Sequence, residues 1–202
     1  MGVLRGTAVA AVGSAVAGGG VYLGLVTGAV PIDLGLGRRL RELGPLQVEI
    51  DAPVEEVFDV LAEPYAVRTS RAMQEKVRVL GRGQDLVLAA HYTPIRGRLR
   101  ATTVETVHFD RPRRIDFRLV RGPVPDVVES FTLEGSEDHT VLTYTGQLGT
   151  DLWRLGELWG DLVAPKWVSV VASAFEATKT EAERRHQARR GGARHGAAHR
   201  ST

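Results

Sequence analysis

Glu105 and Glu129 are the residues of this chain whose type and position could do chemistry. Each falls in a stretch that alternates apolar and polar side chains, the two-residue period of a half-buried strand. If Phe131 and Leu133 point inward, alternation takes Val127 and Glu129 the same way, and Leu99, Ala101 and Val107 take Thr103 and Glu105 with them. A carboxylate in apolar surroundings must pair, bind a ligand or keep its proton, because an isolated charge there is too costly. Such a group can hold the polar end of an apolar ligand or act as a general acid or base. Tyr144, on the face of Leu142, and Tyr92 are the candidate phenolic partners. Phe117 stands with Ile115 and Leu119 on one side of its strand, and Val171 and Phe175 lie with Val168 and Ala172 on one side of a helical segment. The candidate ligand contacts are therefore Tyr92, Glu105, Phe117, Glu129, Phe131, Tyr144, Val171 and Phe175. A one-residue slip in register would turn both glutamates to solvent, and that alternative stays open.

Other chemistry is absent from the pattern. The chain has no cysteine, which removes thiol catalysis, disulfides and thiolate metal sites. The histidines at 91, 108, 139, 186, 195 and 199 show no metal-ligand spacing, and neither Gly35-Leu36-Gly37 nor Gly81-Arg82-Gly83 has the third glycine of a dinucleotide loop. No metal, cofactor or catalytic residue is assigned. Arginines at 96, 98, 100, 111, 113, 114, 118 and 121 alternate with apolar residues and lack an aromatic stacking ladder, so they solvate an outer sheet face rather than bind nucleic acid.

The elements that must position these groups follow from periodicity. Val48 and Ile50 alternate with Glu49 and Asp51; then Pro53 suits a helix start, and Val54, Val57, Phe58 and Leu61 follow at the spacing of one helical face. After a short second helix within Pro64 to Ala72, extended segments cover Glu75–Leu80, Asp85–Thr93, Arg98–Phe109, Arg114–Arg121, Val127–Leu133 and Thr140–Leu148. With Leu46–Ile50 these make seven strands, and their short connections require antiparallel neighbours. Leu152, Leu155, Trp159 and Leu162 predict a short helix. Pro165 to Arg185 predicts a long one whose polar stripe is Lys166, Ser169, Ser173, Glu176, Thr180 and Glu183. The class is α+β, a curved seven-stranded antiparallel sheet wrapped around a long C-terminal helix.

This order of elements resembles the START-like, polyketide cyclase/dehydrase and lipid-transport superfamily of helix-grip proteins. The likeness covers residues 46–186 and is carried by Ile50-Asp51-Ala52-Pro53-Val54-Glu55-Glu56-Val57-Phe58, by Asp110-Arg111-Pro112-Arg113-Arg114-Ile115-Asp116-Phe117 and by Thr140-Val141-Leu142-Thr143-Tyr144-Thr145. The resemblance implies a deep apolar cavity between sheet and C-terminal helix that binds lipids, sterols, polyketides or plant hormones, and in some members cyclises the ligand.

Residues Gly6 to Ile32 form 27 consecutive positions without a charge, more than the roughly 20 a bilayer-spanning helix needs. They predict a single-pass membrane anchor over 1–32, although a cleaved signal or a packed soluble segment would also suit them. Arg38, Arg39 and Arg41 after the stretch favour a cytoplasmic domain. Gly20, Gly24 and Gly28 would form a face for helix pairing, hence a homodimer through the anchor. Residues 33–45 read as a linker and 187–202 as a basic disordered tail. The expectation is a membrane-anchored protein that binds, and could carry, a lipid or isoprenoid. The alternatives are an aromatase or cyclase using the cavity Glu and Tyr residues, and a tethered interaction protein with a filled interior.

Overall fold

The computed structural model describes residues 20–30 and 33–198. Strands Arg39–Ile50 (β1), Val77–Arg82 (β2), Leu86–Arg96 (β3), Leu99–Asp110 (β4), Arg114–Arg121 (β5), Asp126–Gly135 (β6) and Thr140–Thr150 (β7) form one antiparallel sheet in the order β1-β7-β6-β5-β4-β3-β2. The short turns after β2 force each strand beside its predecessor. β1 closes the far edge on β7, because helices Val54–Ala62 (α1) and Arg71–Gln74 (α2), with a 3-10 turn Glu63–Tyr65 between them, separate it from β2. The remaining helix, Trp153–Ala198 (α3), makes its close backbone approach to β1, β7 and α1.

Each element buries the face its sequence period marks. Val54, Val57 and Phe58 of α1 are buried, as are Ile115, Phe117 and Leu119 of β5 and Val127 and Leu133 of β6. Removing side chains of this size from water contributes about 1.5–3 kcal/mol each. Pro53 sits one position earlier than a first helical residue: its carbonyl accepts from the Glu56 and Val57 amides.

Several expectations are corrected. β1 begins at Arg39, so half of the supposed linker is strand; Gly44-Pro45 reads as a break but is absorbed by a register shift between Leu43 and Leu46. The two C-terminal helices are one, with Pro165 inside it. The ring removes one intrahelical bond, to the Asp161 carbonyl, yet packing on both sides keeps the helix continuous. Residues 187–198 continue this helix rather than forming a disordered tail, and 199–202 lie outside the described residues. Arg189 reaches the buried Glu56 at 3.1 Å and Arg190 reaches Asp138 at 3.5 Å, which ties the helix end down. Leu99, taken as inward-facing, is 42% exposed near the strand end.

The anchor expectation falls mostly outside the described residues, which exclude 1–19, 31 and 32. Residues 20–26 are helical, and no helix among the described residues is long and apolar enough to cross a membrane. The glycine face does not continue along a helix: Gly28 has φ +69°, and a Cβ there would collide with the Thr102 carbonyl, while one at Gly24 would stand 2.9 Å from Val30. The turn after the helical stretch docks instead on the sheet, with the Thr102 amide donating to the Thr27 carbonyl at 3.0 Å and Arg121 donating to the Gly28 and Ala29 carbonyls.

Asp151 fastens the approach to β1. Its carboxylate, buried at the foot of α3, accepts from the Leu34 amide at 2.7 Å, the Gly35 amide at 2.8 Å and Arg38 Nε at 2.8 Å. The Arg38 hydrogen bond, outweighing burial, holds this carboxyl below its ordinary range. A depressed acid contributes stability above its unfolded pKa and loses it as pH falls through the folded value. Asp151→Asn should therefore cost on the order of 3 kcal/mol in urea unfolding at neutral pH, with the deficit shrinking in acid. Equal midpoints for both proteins at neutral pH would exclude the latch.

Candidate functional site

The site is built where β6, β7 and the middle of α3 meet. Glu129 lies on β6 between Val127 and Phe131, and the pleat aims it at α3 with them. Its cross-strand partner on β7 is Gly146. That glycine is required by space: a Cβ there would stand 2.9 Å from Tyr144 Oη and 3.2 Å from Glu129 Cγ. Tyr144, fully buried, donates to Glu129 Oε1 at 2.6 Å, and Trp167 Nε1 from α3 donates to the same oxygen at 2.6 Å. With Oε1 accepting both bonds, the proton of the acid form belongs on Oε2.

A second carboxyl sits across β5. Glu105 of β4 is buried, 3.1 Å from His91 Nδ1, and His91 Nε2 is 2.9 Å from Tyr65 Oη. Between the two polar groups run aromatic rings packed edge to face or tilted: Phe117 to Phe131 at 4.8 Å, Phe131 to Phe175 at 5.2 Å, Phe131 to Tyr144 at 5.8 Å and Tyr65 to Phe109 at 5.5 Å. The open hollow implied by the resemblance is thus occupied by the protein's own rings. A cleft of about 490 Å³ opens elsewhere, between α1 and the β2–β3 turn, with Phe58, Tyr65 and Phe109 in its wall.

The shared interior pushes the two acids apart. Burial, reinforced by the charge of Glu105, raises Glu129 to about 7 against the lowering influence of its Tyr144 and Trp167 hydrogen bonds. Burial also works to raise Glu105, but the His91 ring and Thr103 outweigh it and hold Glu105 below the ordinary carboxylate range. Tyr65 and Tyr144 are raised by burial first and then by the nearby carboxylates, so both phenols remain neutral. One interior therefore holds an ionised carboxylate and a carboxylic acid that titrates near neutrality, the division that acid/base chemistry or pH-dependent ligand contact requires.

Seven of the eight sequence candidates come together here or line the same core: Glu105, Phe117, Glu129, Phe131, Tyr144, Val171 and Phe175. Tyr92 does not. Its neighbour His91 takes the inward position opposite Thr103, and Tyr92, one residue on, belongs to the other face of β3. Sequence reasoning missed His91, Tyr65, Gly146 and Trp167. Of these only Trp167 carried a signal, lying four residues before Val171 and eight before Phe175 on one helical stripe.

A seven-stranded antiparallel sheet gripping one long C-terminal helix is the helix-grip architecture. The family model for polyketide cyclase / dehydrase and lipid transport matches residues 46–194, and the chain belongs to that family. No curated protein matches it. Among solved structures it is similar to the Zhui aromatase/cyclase of a Streptomyces species, at 21% identity over 73% of this chain and 95% of that one, TM-score 0.55. It is also similar to a START superfamily protein from Mycobacterium smegmatis, at 16% identity over 70% and 97% of the two chains, TM-score 0.51. A norcoclaurine synthase from Thalictrum flavum, in complex with dopamine and hydroxybenzaldehyde, aligns at 11% identity over 71% and 85%, TM-score 0.51. At these identities the likeness is one of fold.

The Glu129 proton is visible to a stability measurement. An acid whose folded pKa lies above its unfolded value keeps a proton that the unfolded chain has released, so stability falls as pH rises from 4.5 to about 7 and levels off beyond. The full effect is about 3 kcal/mol. Glu129→Gln keeps an acceptor for Tyr144 and Trp167 but does not titrate, and should gain on the native protein by that amount between about pH 5 and about pH 8 in urea unfolding. Parallel profiles would show that Glu129 is ionised throughout.

Proposed function

We propose that the protein binds a hydrophobic small molecule, of the lipid or isoprenoid class, between the sheet and α3, with the polar end of the ligand at Glu129. The observation that carries this reading is a carboxylic acid held in an aromatic interior by Tyr144 and Trp167, with its second oxygen left to meet a ligand. A fold stabilised only by packing gains nothing from burying such a group. Entry requires the rings of Phe131 and Phe175, which close the interior at 5.2 Å, to part. The reading includes a tether: the uncharged residues from Gly6 up to the turn docked on the sheet enter the membrane, and Arg38, Arg39 and Arg41 keep the domain on the cytoplasmic side.

A second reading, ring closure of a polyketide by an aromatase/cyclase-type reaction, is favoured by one feature, the presence in one interior of an acid near neutrality and of an ionised Glu105 beside His91. An acid in this range can protonate a departing hydroxyl and its conjugate base can take a proton from carbon.

Mass spectrometry of molecules extracted from the full chain, purified under native conditions, separates these readings. An apolar molecule in equimolar amount supports carriage, and a cyclised aromatic product supports catalysis. If neither is found and a fluorescent fatty acid fails to bind, the interior is permanently filled and the protein acts through its surface. With a ligand in hand, Glu129→Gln should weaken binding about tenfold below neutrality, the loss of one charge-assisted or acid hydrogen bond. Unchanged affinity would remove Glu129 from the contact.

A further inference from the structure

A helix on a soluble domain normally carries one apolar stripe, but the first turns of α3 carry two. Gly156, Gly160 and Ala164 form the inner one, small enough for close approach to the sheet: a Cβ at Gly160 would stand 3.5 Å from Thr150 Cγ2. The outer one is Leu155, Leu158 and Leu162, at 66%, 62% and 42% exposure. These leucines are not needed for the core, and their spacing of three and four makes them neighbours on the helix surface. The stripe continues sideways into Trp159, whose ring meets the half-exposed Tyr22 edge to face at 6.2 Å.

Tyr22 indicates what covers this face. It belongs to the helical residues 20–26, and the chain arrives there from residues 1–19, of which 6–19 carry no charge. The described end of the uncharged stretch, at Tyr22, therefore meets this stripe at Trp159. The acids on the same turns of α3, Glu157 and Asp161, are paired with Arg39 and Arg41, whereas the exposed Arg154 and Lys166 make no ion pair among the described residues, which leaves this face net positive. An apolar stripe with free cations beside it has the composition of a helix lying in a bilayer surface. A partner helix would instead call for acidic residues opposite those cations.

From this juxtaposition we infer that the outer face of α3 from Leu155 to Leu162, with Trp159 and Tyr22, rests on a lipid bilayer carrying anionic headgroups. The inference rests on the tether proposed above and names the partner of the site's α3 side: Trp167, which donates to Glu129, lies five residues beyond Leu162 on the same helix. Ligand exchange would then proceed directly between the interior and the lipid beneath α3.

The absence of native cysteine allows a single reporter in the full chain. Leu158→Cys, and Val67→Cys as a control at an 85% exposed position on another side of the sheet, are labelled with an environment-sensitive fluorophore and mixed with phosphatidylcholine/phosphatidylglycerol vesicles containing spin-labelled lipid. The label at position 158 should shift to shorter wavelength and be quenched at least about threefold more than the label at position 67. Equal quenching at both positions overturns the inference. So does a blue-shifted label at 158 that lipid cannot quench, since the face is then covered by the chain's first residues or by a second copy. Flotation of the protein with vesicles while position 158 stays unquenched removes the docked face and leaves the tether standing. Failure to float with no quenching removes both.

Discussion

The pair of hydrogen bonds that converge on Glu129 Oε1 joins three elements distant in sequence. Tyr144 brings β7, Trp167 brings α3, and the carboxyl itself stands on β6. α3 is tied at other points too, by Trp159 Nε1 donating to the Pro123 carbonyl at 2.8 Å, Lys179 donating to the Glu49 carbonyl at 2.7 Å and Arg185 donating to Glu63 at 2.6 Å, whereas the apolar packing between these points is roughly proportional to area and tolerates small shifts. The Trp167 bond to a carboxyl that Tyr144 holds in place fixes the middle of α3 as those ties do, next to Val171 and Phe175. The arrangement works only because Gly146 leaves the space beside the carboxyl empty of side chain.

The same geometry explains why the two buried acids behave differently. Glu105 has an imidazole at ion-pair distance and stays charged, whereas Glu129 has only neutral donors and, with the Glu105 charge nearby, keeps its proton to near neutrality. Neutral donors that would suit an ordinary carboxylate are insufficient when burial and a like charge oppose ionisation together. The interior is therefore polar at two points and aromatic between them, which suits a ligand with an apolar body and an oxygen at one end. The rings that fill it are not bonded to one another, and under the proposed reading their displacement is the conformational cost a ligand meets.

Beyond the interior, the molecule divides its charge and its greasiness by side. Arg114 of β5 pairs with Asp116 two residues on along its strand, and Arg111 of the β4–β5 turn reaches Asp59 on α1. At the α3 start, by contrast, leucines stand in the open beside Arg154 and Lys166, which make no ion pair among the described residues, and beside the pairs Arg39–Glu157 and Arg41–Asp161. Asp151 governs the geometry there, because it fixes residues 34–38 against the foot of α3 and so determines where the chain from the N-terminal segment joins the domain.

Strand faces were legible wherever one face was clearly more apolar than the other. Ile115, Phe117 and Leu119 on β5, and Val127 to Leu133 on β6, placed Glu129 inside from period alone, because a two-residue repeat has only two answers and one of them buries more apolar surface. On β3 both faces are apolar, Val87 and Ala89 on one and Leu88 and Ala90 on the other, so the pattern does not choose between Tyr92 and His91. Local sequence thus determined the elements, their inner faces and the existence of buried acids. Only the tertiary structure decided that α3 is continuous through Pro165, that Trp167, His91 and Tyr65 are the partners of those acids, and that rings close the interior. Periodicity reports which side of one element avoids water, while partners and filled volume depend on how several elements share a single space.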